Sequence, residues 1–156
     1  MIRVQFSRGG GISSAAIAWF SSGSFSHVDA VMPDGTLLGA RSDAVGGHPP
    51  GVWARPANYE KFRQKVVMEI PCGAFQEGRY YDFLKSQVGK PYDKAAIWAF
   101  ALGRNWREQD SWICSELQAA AAEYAGIVPK LYLPSNKITP VAYALVCSAI
   151  KGKVIA

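Results

Sequence analysis

Apolar and polar residues alternate through Met1-Ile2-Arg3-Val4-Gln5-Phe6-Ser7-Arg8, the period of a strand with one face toward a core. Gly9-Gly10-Gly11 breaks that pattern, and Ile12 to Ser22, carrying Ile17, Trp19 and Phe20 and closed by Gly23, predicts a short helix. Phe25 to Met32 and Thr36 to Arg41 read as the two arms of a hairpin. The turn is Pro33-Asp34-Gly35-Thr36, where Asp-Gly supplies the positive backbone angles a tight reversal needs. Two prolines and three glycines between Gly46 and Gly51 exclude regular structure there, and Val52 to Arg55 and Lys65 to Ile70 follow as further strands.

Beyond residue 70 the period lengthens. Tyr81, Leu84 and Val88 share one face of a helix expected from Phe75 to Val88, stopped by Gly89 and Pro91. Lys94 to Leu102 is strongly apolar and predicts a buried helix, and a polar stretch from Arg104 to Asp110 leads to an alanine-rich helix over Cys114 to Ala125, ended by Gly126. Ile138 to Ile150 predicts a last helix with Pro140 in its first turn. Strands with one early helix, then mainly helices, define an α+β domain with a small antiparallel sheet packed against helices.

At 156 residues the chain fits a single domain, residues 1–156, and no repeat or low-complexity tract divides it. The longest apolar runs fall short of the roughly 20 residues that cross a bilayer, and the N-terminus lacks the continuous apolar stretch of a secretion signal. The expectation is a soluble protein, cytoplasmic or delivered without a cleavable signal. A net charge of +5 and a pI near 9.2 favour encounters with anionic polymers. The basic residues are scattered, however, and no specific nucleic-acid partner is expected.

Three cysteines, Cys72, Cys114 and Cys147, close at most one bridge, so at least one thiol is free, and none has the paired spacing of a zinc or thioredoxin-type site. Cys114 opens the alanine-rich helix, where unpaired backbone N–H groups and the helix dipole favour a thiolate and offer donors to an oxyanion. His27 lies on the first hairpin arm and is the better base of the chain's two histidines, because His48 sits in the Gly/Pro loop. Taken singly, each also reads as a buried structural residue. No phosphate-binding loop, dinucleotide fingerprint or acidic metal cluster is present in the sequence, so no cofactor and no metal are expected.

Four motifs in succession carry a resemblance. Ser26-His27-Val28, the Pro33-Asp34-Gly35 hairpin, Gly89-Lys90-Pro91-Tyr92-Asp93 and Trp112-Ile113-Cys114-Ser115-Glu116-Leu117 together resemble the circularly permuted branch of the NlpC-type papain-like cysteine hydrolases. The likeness is to the YiiX-like proteins within that branch and, more distantly, to the lecithin:retinol acyltransferase group. It spans about residues 10 to 145, with the histidine strand ahead of the cysteine helix as in the permuted branch.

The resemblance implies a permuted papain-like fold, Cys114 as nucleophile, His27 as general base, and Tyr92 near the cysteine as a substrate or oxyanion contact. It implies an amidase or thiol peptidase acting through a thioester on cell-wall (peptidoglycan) peptides or acyl amides. Action on lipid esters or amides is the alternative, to which an acyl channel near Trp19, Trp98 and Phe100 would belong. The family places a histidine or glutamate on the returning hairpin arm to orient the imidazole, and here that position is Gly39. Orientation then falls to Ser42, the residue assigned here, to Asp43 or Asp29, to a backbone carbonyl, or to a water. Loss of the orienting side chain also fits a non-catalytic binding or assembly module that keeps the fold.

Overall fold

The computed structural model describes residues 1–9, 25–93, 111–131 and 138–156. The helices expected over 12–22 and 94–102, with Trp19, Trp98 and Phe100, lie outside those residues.

Among the described residues six strands form one sheet in which every neighbouring pair is antiparallel, in the order β4-β3-β2-β1-β5-β6. They are β1 (Ile2–Arg8), β2 (His27–Val31), β3 (Leu37–Arg41), β4 (Gly51–Arg55), β5 (Gln64–Ile70) and β6 (Lys153–Val154). The β2–β3 hairpin turns as its Asp-Gly dipeptide requires: Gly35 takes φ +83°, and the Asp34 carboxylate accepts from the Thr36 N–H at 2.9 Å. β6 carries no signal in the sequence. It is a two-residue edge pairing with Met68 and Glu69, too short for any period to show.

The described helices are α1 (Ala74–Ser86), α2 (Cys114–Tyr124) and α3 (Pro140–Ala149). α1 ends two residues before the expected Val88, which lies in the following turn and is exposed; Tyr80, Tyr81 and Leu84 face the interior instead. α3 starts where Thr139 caps it, its side chain accepting from the Ala142 N–H at 3.0 Å, with Pro140 at the first helical position. Gly126 follows α2 at φ +68°, as a helix stop should.

Alternation sorts the sheet into two faces. Val4, Phe6, Val28, Ala30, Leu38, Ala40, Val52 and Met68 line the apolar face, in one core with Tyr80, Leu84, Leu117, Ala121 and Tyr143 of the helices. α2 packs on β2 and β3, between α1 and α3, and is buried almost all round, which its small side chains permit. Gln118 ties it to the sheet by donating to the Leu38 carbonyl at 3.0 Å, and Tyr143 of α3 donates to the Gln118 carbonyl at 3.3 Å. The other face carries Gln5, Ser7, His27, Asp29, Gly39 and Arg41, and these too are buried, so β1 to β3 are covered on both sides.

Among the described residues no helix is long and apolar enough to cross a membrane.

Candidate functional site

The start of β2 and the start of α2 meet. His27 is the first residue of its strand and Cys114 the first of its helix, and a side-chain hydrogen bond joins them although 87 positions separate them in the chain. Both are buried, at 6% and 3% exposure. Nε2 of the His27 ring lies 2.8 Å from Oδ1 of Asp29, two residues on and on the same strand face. Cys114, His27 and Asp29 thus form a continuous chain of polar contacts.

The electrostatics follow from that chain. Burial works against charge on the His27 ring, but the Asp29 carboxylate and the sulfur outweigh it and lift its pKa from 6.5 to about 9. Burial likewise opposes a thiolate at Cys114, and the His27 charge, the His27 hydrogen bond and the Val28 backbone N–H overcome it, so the thiol is lowered. Both shifts run toward the charged forms, a thiolate beside an imidazolium. Asp29, buried at 1% exposure, is held below the usual carboxylate range: burial opposes its charge, while the His27 charge and hydrogen bonds from His27 and Tyr59 favour it.

Gly39 now has a physical reason. It faces Asp29 across the hairpin, and a Cβ built on it would lie 1.9 Å from Asp29 Oδ1. The space a side chain on β3 would fill is taken by a carboxylate reaching over from β2. The ring's carboxylate partner is Asp29, and the assignment of that place to Ser42 is corrected: Ser42 lies past the end of β3 and makes no described bond to the ring. Asp43 instead pairs with Arg41, through two contacts of 2.9 Å.

Tyr92 is brought toward Cys114 by its own backbone. It bridges to Trp112 in a short parallel pairing, with the Trp112 N–H donating to the Pro91 carbonyl and the Asp93 N–H to the Trp112 carbonyl, both at 3.1 Å. Its phenol is buried and pushed well up, by burial first and then by the negative charge of Cys114. His48 takes no part in this constellation and stacks on Trp53, ring centroids 5.0 Å apart.

The surroundings of Asp29 carry groups that the hydrophobic pattern does not point to. Oδ2 of Asp29 accepts from the Tyr59 hydroxyl at 2.9 Å. Arg41 sits 5.5 Å over the Tyr59 ring and is held by Glu60 at 2.8 Å, while the Arg55 guanidinium, 5.8 Å from the same ring, donates to the carbonyls of Gly39, Val45, Gly51 and Trp53. Across from His27 and Asp29 on β1 lie Ser7 and Gln5, whose Oγ and Nε2 have no hydrogen-bond partner among the described residues. Polar residues at alternate places in a strand ordinarily mean a wet face, so nothing in β1 marks these two as interior.

A known structure shares this architecture. The crystal structure of the metalloprotein YiiX from Escherichia coli O157:H7 superposes with a TM-score of 0.62 at 17% sequence identity, covering 99% of this chain and 95% of that one. The chain thus has a YiiX-like fold. No protein-family model matches it, and no curated protein sequence does. Because that neighbour is described as a metalloprotein, the donor set here matters: among the described residues no group of three or more His, Cys, Asp or Glu is gathered to hold a metal ion. Both oxygens of Asp29 are already engaged, Oδ1 by the His27 ring and Oδ2 by the Tyr59 hydroxyl, and the ring is bonded to Cys114 as well.

Proposed function

We propose that the protein is a cysteine hydrolase of permuted papain-like type that cleaves an amide bond through a thioester on Cys114. The observation that carries this reading is the buried hydrogen bond between Cys114 and His27 with the Asp29 carboxylate behind the ring. A thiolate already paired with an imidazolium attacks a carbonyl carbon without a prior proton transfer. The carbonyl oxygen becomes an oxyanion, for which the backbone N–H of Cys114 at the start of α2 and the Tyr92 hydroxyl are the candidate donors. As the tetrahedral species collapses, His27 gives its proton to the departing amine and a thioester remains. Neutral His27 then takes a proton from water, whose oxygen attacks the thioester, and the sulfur leaves as thiolate beside the recharged ring. Asp29 holds the ring in place throughout.

Cell-wall peptide amides are the substrate class proposed first, by analogy with the family that the sequence resembles. The non-catalytic alternative drew on Gly39 as a missing orienting group. Asp29 lies in the space that glycine leaves open, which favours turnover over a bare scaffold.

A thiol-reactive probe titrated against pH tests the dyad. Cys114 should label well below pH 8 and lose that advantage in His27→Ala, while equal labelling of the two proteins would overturn the reading. Release of product from peptidoglycan fragments, measured beside acyl-amide and phospholipid substrates, then decides the substrate class. Activity on lipids alone would end the cell-wall assignment.

A further inference from the structure

We propose that Tyr59 is a positioning residue for the dyad: its hydroxyl fixes the second oxygen of Asp29, and through Asp29 it sets how firmly His27 holds the Cys114 thiolate. The inference rests on the cysteine-hydrolase reading and adds to it a residue outside the four motifs.

A carboxylate orients a ring well only if it cannot turn about its own Cβ–Cγ bond. Asp29 is pinned at both oxygens, Oδ1 by His27 at 2.8 Å and Oδ2 by the Tyr59 hydroxyl at 2.9 Å. Tyr59 is in turn held on several sides. Its backbone N–H closes a turn onto the Pro56 carbonyl at 3.0 Å, Phe62 packs edge-on against its ring, and Arg41 and Arg55 lie near the ring's faces. Burial raises the Tyr59 phenol to far above neutral, so it stays a donor at every pH at which the dyad works.

The charged and titratable groups around Asp29 come from several elements: His27 on β2, Arg41 on β3 with Asp43 beyond it, Arg55 on β4, Tyr59 and Glu60 on the segment after β4, and Cys114 on α2. The Arg41 charge is already engaged by Asp43 and Glu60, and the Arg55 donors by backbone carbonyls. Among the described residues, the groups that donate directly to Asp29 are His27 and Tyr59. Without its hydroxyl the buried anion loses one of its two donors and its fixed orientation, so imidazolium and thiolate are both less favoured.

The test is the pH profile of Cys114 alkylation by iodoacetamide in a Cys72→Ala background, which removes the more accessible thiol; buried Cys147, raised to about 12, stays silent. Tyr59→Phe deletes one oxygen and keeps the ring. Its acid limb should move to higher pH, with alkylation roughly tenfold slower at about pH 6 in a protein that still melts cooperatively. In an Asp29→Asn background the same substitution should have no further effect, because the route through the carboxylate is already gone. A wild-type profile for Tyr59→Phe, or an equal shift in both backgrounds, would overturn the proposal. If Tyr59→Phe does not fold, Phe62→Leu decides: a profile displaced the same way supports the brace, and an unchanged one refutes it. Failure of the underlying reading looks different, since His27→Ala would then leave the profile where it was, and the brace would fall with it.

Discussion

At the scale of single residues, the identity of residue 39 follows from a collision. Asp29 Oδ1 stands where the first atom of any other side chain would be, so Gly39→Ala must push the carboxylate away from the His27 ring. The expected result is a folded protein destabilised by about 1–3 kcal/mol, the usual cost of overpacking. The acid limb of its thiol alkylation should shift toward that of Asp29→Asn. Denaturant midpoints and the alkylation profile measure the two effects separately, and a Gly39→Ala protein with native thiol reactivity would show that Asp29 does not orient the ring. Read along the sequence, Gly39 looks like a lost functional group. The reason is that spacing along one strand cannot show a side chain arriving from the next.

At the scale of elements, α2 and α3 do different work. The N-cap residue of α2, Ile113, makes no side-chain cap bond, and the positive end of the helix dipole lies at Cys114, where it favours a negative sulfur. α3 has a conventional start, and Thr139→Ala should cost about 1 kcal/mol of stability through the lost cap. Cys114 alkylation should be unchanged in that variant, because Thr139 takes no part in the contacts that join Cys114, His27 and Asp29; a thermal melt and the thiol assay on the same preparation check both. Element boundaries were legible where a chemical punctuation mark exists: Asp34-Gly35 at the hairpin, Pro140 at the head of α3, Gly126 after α2. Val88 has no such mark, and its helical spacing continues past the point where α1 unwinds at Gln87.

At the scale of the molecule, proton linkage should reveal the ion pair. His27 is raised from 6.5 to about 9, so its contribution to stability is complete below 6.5 and is lost as pH rises through about 9. Cys114 is lowered from 9.0, so its contribution is complete above 9.0 and is lost as pH falls through its folded value. These slopes oppose each other, so below about 9 the stability of the wild type should vary less with pH than the histidine slope alone would give. Cys114→Ser keeps the part of the histidine slope that Asp29 supplies and should lose stability as pH climbs above 6.5. On the acid side Asp29, lowered from 3.8, contributes above that value and is lost as pH falls through its folded pKa. Urea midpoints across pH decide it: parallel curves for wild type and Cys114→Ser would mean that no ion pair forms.

Local chemistry already determined much of this protein. Period and turn residues placed the strands from β1 to β5, the described helices and the α+β class, and the thiol at a helix start marked Cys114, because those properties depend on neighbours within a few positions. The tertiary structure decided what stands against what. β2 runs beside β1 and β3 under α2, and only that arrangement gives His27 its sulfur, turns Asp29 into its carboxylate, makes Gly39 obligatory and brings Tyr59 across 30 positions to the far oxygen. Contacts between segments so far apart in the chain are set by how whole faces pack, and no window along the sequence contains them.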